Sequence, residues 1–149
     1  MRRDRGFTLV ELLVVFAIMA LLIGITPIAY QKMRDTAQYR DVLRTMFSEL
    51  RAARQQAAST HSETRFHVNL QQRSFGVQGR VEHPLPASIT VRATVAGTEL
   101  SGNGVAAIRF LADGGATGGS IDVLRPSGGG TRLRIDWLSG RVTQEPLSQ

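Results

Sequence analysis

Glu11 makes the sharpest chemical demand in the sequence. From Phe7 to Ala29 only Thr8, Glu11, Thr26 and Pro27 interrupt a run of apolar residues and glycine, and from Leu12 to Ile25 nothing does. A carboxylate inside hydrocarbon costs about 2.5–3.5 kcal/mol at the middle of a helix and less near its end, and such residues are usually functional and partnered. No Lys or Arg lies between positions 6 and 31. The charge must therefore reach the membrane interface or meet a cation from elsewhere. A free α-amino group on a neighbouring chain would suffice, if cleavage created one.

Other residue sets that could do chemistry are weaker. His61, Glu63 and His67 do not have the His-Glu-x-x-His spacing of a zinc helix and read as a solvated strand face. His83 precedes Pro84 in a turn and has no obvious partner. Gly114-Gly115-Ala116-Thr117-Gly118-Gly119 lacks the Lys-Ser/Thr ending and following helix of a phosphate-binding loop, and Gly128-Gly129-Gly130 runs into a strand. Both read as flexible loops. No nucleophile elbow accompanies the Ser, His and Asp residues. With no cysteine, disulfides, thiolate metal sites and cysteine nucleophiles are excluded. No metal, cofactor or catalytic constellation is expected, and the chain does not read as an enzyme. Its net charge of +6 comes from 18 basic residues against 12 acidic ones. A basic surface suits nucleic acid or anionic lipid, but the arginines are scattered in sequence from Arg34 to Arg141. They read as a solvated face, and nucleic acid is not the expected partner.

Three elements must position Glu11. The first is the apolar run itself: about 20 such residues match the bilayer's hydrocarbon thickness as a helix, the one single-segment form that satisfies its own backbone there. The expected span is 7–29. Arg2, Arg3 and Arg5 precede it, which predicts a cytoplasmic N-terminus and an exported remainder. A cleaved secretory signal would need a small-x-small site after the apolar core, and Leu22-Ile23-Gly24 and Gly24-Ile25-Thr26 are poor versions of one. A buried core helix is the other reading, but the rest of the chain is too short to wrap it. The second element is a helix over 30–60. Tyr39, Val42, Leu43, Met46, Phe47, Leu50, Ala53 and Ala57 recur every three or four residues as an amphipathic stripe. Run together, the two helices would extend about 80 Å at 1.5 Å per residue, with Gly24 and Pro27 the place to kink or unwind.

The third element, 61–149, supplies what the stripe packs against. Phe66, Val68 and Leu70 alternate with polar residues, as do Ile89, Val91 and Ala93. The same holds for Ile121 and Val123 and for Leu133, Ile135 and Trp137, while Ala106, Ile108 and Phe110 alternate with Ala107, Arg109 and Leu111. Period two with one apolar face predicts half-buried antiparallel strands. Turn residues separate them at 78–79, 84–86, 101–104, 113–119, 126–130 and 139–140. The expected class is α+β, a long helix packed on antiparallel β-sheet.

Gly6-Phe7-Thr8-Leu9-Val10-Glu11-Leu12 resembles the class III signal of type IV pilins and type II secretion pseudopilins. The resemblance implies a pilin-like fold and a leader, 1–6, that a prepilin peptidase removes by cutting between Gly6 and Phe7. Phe7 would then be N-methylated, and Glu11, at the fifth mature position, would pair with the N-terminal amine of an adjacent subunit. Many type IV pilins carry a C-terminal disulfide loop, and the lack of cysteine favours a pseudopilin. The segment from Phe110 through Asp113 to Gly119, with Ile135-Asp136-Trp137-Leu138-Ser139-Gly140-Arg141-Val142, resembles the C-terminal pattern of the H-type minor pseudopilins of type II secretion systems. That implies a single-pass inner-membrane protein with a periplasmic domain. It would join the tip of a short pseudopilus that helps export folded proteins across the outer membrane. The implied partners are the other minor and major pseudopilins, the prepilin peptidase and the inner-membrane assembly platform. The alternative within the same broad group is a minor pilin of a type IV pilus, some of which bind DNA for natural transformation.

Overall fold

The structure is a computed structural model that describes residues 7–96, 100–101 and 104–147, with the side chains of 24–29 and 100–101 left aside. Gly6 lies outside the described residues; the backbone runs helical through Gly24 and Pro27, without the unwinding that was one expectation there. The chain divides into two compact units, Met1–Arg34 and Asp35–Gln149. One helix, α1, spans Leu9–Thr60 and contributes to both.

In the first unit the described side chains of α1, Leu9 to Ile23, are exposed on every side. Leu9 is 83%, Phe16 63% and Ile23 71% accessible. No helix among the described residues is long and apolar enough to cross a membrane. The expected span, 7–29, lies only partly within those residues.

The second unit is built on the stripe. Tyr39, Val42, Met46, Leu50, Ala53 and Ala57 are buried, and Leu43 and Phe47 pack beside them, partly covered. Burying a large aliphatic or aromatic side chain contributes about 1.5–3 kcal/mol, so this stripe, not helix propensity, holds α1 in place. The helix stops at Thr60. His61 follows with φ of 49°, and the Ser62 amide donates back to the Ala57 carbonyl at 3.3 Å. This is a Schellman stop with histidine where glycine is usual. The left-handed conformation costs a non-glycine residue roughly 1 kcal/mol. His61→Gly is therefore expected to stabilise the domain by up to about 1 kcal/mol, read as a higher urea midpoint with unchanged slope.

Among the described residues nine strands follow: β1 Thr64–Asn69, β2 Ser74–Val77, β3 His83–Pro84, β4 Thr90–Val95, β5 Leu100–Ser101, β6 Val105–Phe110, β7 Gly119–Leu124, β8 Gly130–Ile135 and β9 Val142–Leu147. They form two sheets, β3-β2-β1-β6-β5 and β4-β7-β8-β9, and every pairing is antiparallel. Phe66 pairs with Ile108 and Val77, and Ile121 pairs with Leu133 and Ala93. Together they place one apolar face of each sheet in a core shared with the stripe. Tyr39 crosses that core to donate to Thr131 Oγ1 at 2.7 Å, under the Arg125 guanidinium 4.4 Å from its ring centre.

The expected α+β architecture is present, with differences of detail; β3, β5 and β9 were not among the expected strands. β2 was not expected: all four of its residues are buried, because the backbone at Val81–Glu82 covers the face opposite the core, 3.3 Å from where a Cβ on Gly76 would sit. Leu70 lies beyond β1 in a turn, 43% exposed. Trp137, expected to continue the inward face of β8, is 68% exposed. The chain turns at Asp136, whose Oδ1 accepts from the Ser139 amide and hydroxyl, each at 2.8 Å. Those bonds hold the Asp136 carboxyl below its ordinary pKa.

The segment 113–119, expected to be flexible, is fixed. The Ala116 amide donates to the Trp137 carbonyl, Thr117 to Arg109 and Leu111 to Gly115, each at 2.9 Å. The Gly115 amide donates to Asp113 Oδ1 at 2.9 Å. The loop carries the chain from one sheet to the other, and its glycines are there for conformation: φ is 91° at Gly114, 73° at Gly118 and 135° at Gly119.

Candidate functional site

The residues singled out by sequence lie at the head of α1. Phe7 precedes the helix and is 75% exposed. Thr8 is its N-cap: the Glu11 amide donates to Thr8 Oγ1 at 3.3 Å, and the Leu12 amide donates to the Thr8 carbonyl at 3.2 Å. Thr8 and Glu11 thus have the Thr-x-x-Glu spacing of a capping box. Thr8 was missed as a site residue, although that spacing ahead of an apolar run is the signal for one. Glu11 occupies the third helical position, where the macrodipole favours a negative charge. The cap fixes where the helix begins, and so the height of Glu11 above Phe7, about one turn.

Among the described residues no basic group pairs with Glu11; the ion pairs there lie elsewhere. The head of α1 thus combines an exposed apolar cylinder, a capped start and one exposed carboxylate. An exposed apolar surface of this size marks a site of contact with lipid or with another protein. Chemically the carboxylate can accept hydrogen bonds and pair with a cation; a lone exposed carboxylate is not a catalytic arrangement.

The other candidates fold into structural pairs. Glu63 meets Arg109 Nη1 at 3.2 Å. His67 Nε2 lies 3.3 Å from Glu82 Oε1, and Ser74 Oγ donates to Glu82 Oε2 at 2.6 Å. The Ser74 bond, followed by that from His67, lowers the Glu82 pKa. His61 lies in the turn after α1, two residues before Glu63, and joins none of these pairs. His83, which the sequence left without a partner, stacks 5.5 Å from the Phe75 ring centre and lies 3.7 Å from Glu49 Oε1. Arg132 and Asp122 form a two-pronged cross-strand pair at 2.7 and 2.8 Å, which raises the Arg132 pKa. No group of three or more His, Asp or Glu among the described residues could hold a metal ion.

Comparison with known proteins accords with this anatomy. Residues 1–26 match the prokaryotic N-terminal methylation motif, and residues 43–140 match the type II transport protein GspH family. The chain is 35% identical to the type II secretion system protein H of Xanthomonas campestris pv. campestris, over 98% of this chain and 86% of that protein. Two solved structures share the fold. The minor pseudopilin EpsH of the Vibrio cholerae type 2 secretion system has a TM-score of 0.54 at 11% identity, over 74% of this chain and 97% of that one. The type IV minor pilin FimU of Pseudomonas aeruginosa has 0.52 at 17%, over 72% and 92%. With a pilin-like fold behind a methylation motif, and a family match across most of the folded domain, the chain belongs to the GspH family of type II transport proteins.

Proposed function

We propose that the protein is a minor pseudopilin subunit that works at the tip of a type II secretion pseudopilus. The precursor sits in the inner membrane by a single span over 7–29, with its N-terminus cytoplasmic. The stem helix, 30–60, and the β domain, 61–149, stand in the periplasm. A prepilin peptidase cuts between Gly6 and Phe7 and methylates Phe7. Glu11 then meets the terminal amine of a neighbouring subunit as the assembly platform adds this chain to the other minor and major pseudopilins. The observation that carries this reading is the head of α1: apolar and exposed all round from Leu12 to Ile23, with one carboxylate a turn from Phe7.

The physical logic is one of matched costs. An unpaired carboxylate resists deeper burial among apolar helices; one paired with an amine does not, because the pair's attraction grows as water is excluded. Subunits in the wrong axial register leave both charges unpaired. The subunit moves with its neighbours as part of a filament that helps folded substrates across the outer membrane, and no step asks this chain to act as a catalyst.

Mass spectrometry of the assembled protein is expected to show loss of Met1 to Gly6 and one added methyl on Phe7. An intact Met1 terminus contradicts the reading. The FimU likeness is one of fold alone. Deletion of the gene separates the two filaments: loss of exoprotein release identifies secretion, whereas loss of twitching with normal release identifies a type IV pilus.

A further inference from the structure

The arginines that look scattered in sequence converge in the folded domain. Arg40, Arg44, Arg51 and Arg54 lie along one side of α1, and Arg141 meets them from the turn that leads into β9. They rim two adjoining cavities of about 580 and 690 Å³ that share Phe47. Asp41 is the one acid on that rim. None of the five arginines is ion-paired among the described residues. Arg51 rests 5.7 Å from the Phe47 ring centre, and the Arg54 side chain lies against Gly140. Like charges one helical turn apart, such as Arg40 and Arg44, repel one another. A row of five with Asp41 as its one acidic neighbour carries excess like charge, a stability cost that a bound anion lowers.

The cavity floor is not polar. Leu43 and Phe47 from α1 and Val142 from β9 are partly buried apolar residues at the edge of the core. Gln144 closes the side, on the same face of its sheet as its cross-strand partner Leu133. Among the described residues β9 is an edge strand that pairs only with β8, so its outer backbone groups are open to an added strand, up to Pro146, which has no N–H to give.

We propose that the groove between α1 and β9 is a docking site for an acidic, extended segment of another protein, with apolar side chains alternating between its carboxylates. The segment lies along the edge of β9, its apolar side chains reach Leu43, Phe47 and Val142, and its carboxylates meet the arginine rim. Guanidinium groups match carboxylates in forked geometry, and strand addition supplies main-chain hydrogen bonds. Charge complementarity selects this occupant. A nucleic-acid strand would want exposed aromatic faces for base stacking, and the one aromatic ring here, Phe47, is already partly buried beneath Arg51. The inference stands on the folded domain and is independent of the filament reading.

The test uses the full chain in a neutral detergent and a short, capped, fluorescent peptide alternating glutamate and valine. Fluorescence anisotropy is expected to show saturable binding that weakens with salt. The double variant Arg51→Glu with Arg141→Glu should weaken it at least tenfold, while Arg92→Glu on β4 should change it less than twofold. All three positions are exposed, and circular dichroism melts verify the fold of each variant. Equal binding of the glutamine–valine peptide overturns the proposal, as does indifference to the double reversal. Tighter binding of single-stranded DNA that the same reversal abolishes assigns the groove to nucleic acid, and also overturns it. Full competition by millimolar inorganic phosphate would reduce the site to a small-anion pocket, which overturns it too.

Discussion

Glu11→Leu is expected to insert and be processed as efficiently as the natural sequence, yet to lower exoprotein release at least tenfold. Leucine favours the bilayer by a few tenths of a kcal/mol where a carboxylate is costly, so insertion loses nothing. The cap survives as well, because the bond to Thr8 Oγ1 comes from the residue-11 amide, which leucine keeps. What disappears is the charge that a neighbouring amine would meet. A tenfold loss needs only about 1.4 kcal/mol, well within the range for an ion pair removed from water. Glu11→Gln sharpens the test, since it keeps shape and hydrogen-bonding capacity and removes only the charge; it should fail like leucine. Cross-linking of the variant to its neighbours separates failed assembly from failed processing. Normal release by either variant would mean that the carboxylate has no assembly role.

The second large effect concerns a residue without a side chain. Gly119→Ala is expected to destabilise the folded domain by roughly 3 kcal/mol or more, seen as a lowered urea midpoint. Gly119 opens β7 with φ of 135°, and a Cβ there would stand 2.6 Å from the Thr94 carbonyl oxygen. The backbone conformation alone costs about 1–3 kcal/mol for any other residue. The clash cannot be relieved by rotating a side chain, because the obstructing atom is main chain in the neighbouring strand. Gly129→Ala is the matched control: nothing lies within 4 Å of its would-be Cβ, and a change within about 1 kcal/mol of zero is expected. Equal effects at both positions would show that the close approach at Gly119 is not what the glycine provides.

These two glycines also mark where sequence reasoning stops. In the sequence both belong to glycine-rich stretches that read as flexible loops; only the fold distinguishes the one pressed against a strand from the one facing open space. Periodicity did better. The stripe from Tyr39 to Ala57 is the buried face of α1, and Phe66, Val68, Ile108, Phe110, Ile121, Val123, Leu133 and Ile135 alternate inward as expected. The pattern says which face a residue takes but not which sheet its strand joins, so the division into two sheets was invisible. It also fails where both faces are covered, as in β2, and where a turn cuts a strand short, as at Trp137. The N-terminal methylation motif was legible because its junction, carboxylate and apolar run stand together within a dozen residues. The arginine groove was not, because Arg141 joins the helix rim only through the final hairpin.

The bond from Tyr39 to Thr131 joins residues 92 positions apart, which sets an order of events during biogenesis. Tyr39 emerges from the ribosome long before its partner. At roughly 5–20 residues per second, the stripe on α1 waits about 5–20 s before β8 exists to cover it. Contacts this distant also slow folding itself. An exposed stripe held that long invites aggregation or premature pairing with other helices. The newborn chain therefore needs shelter, from the translocation machinery or a holding chaperone, until its last hairpin arrives.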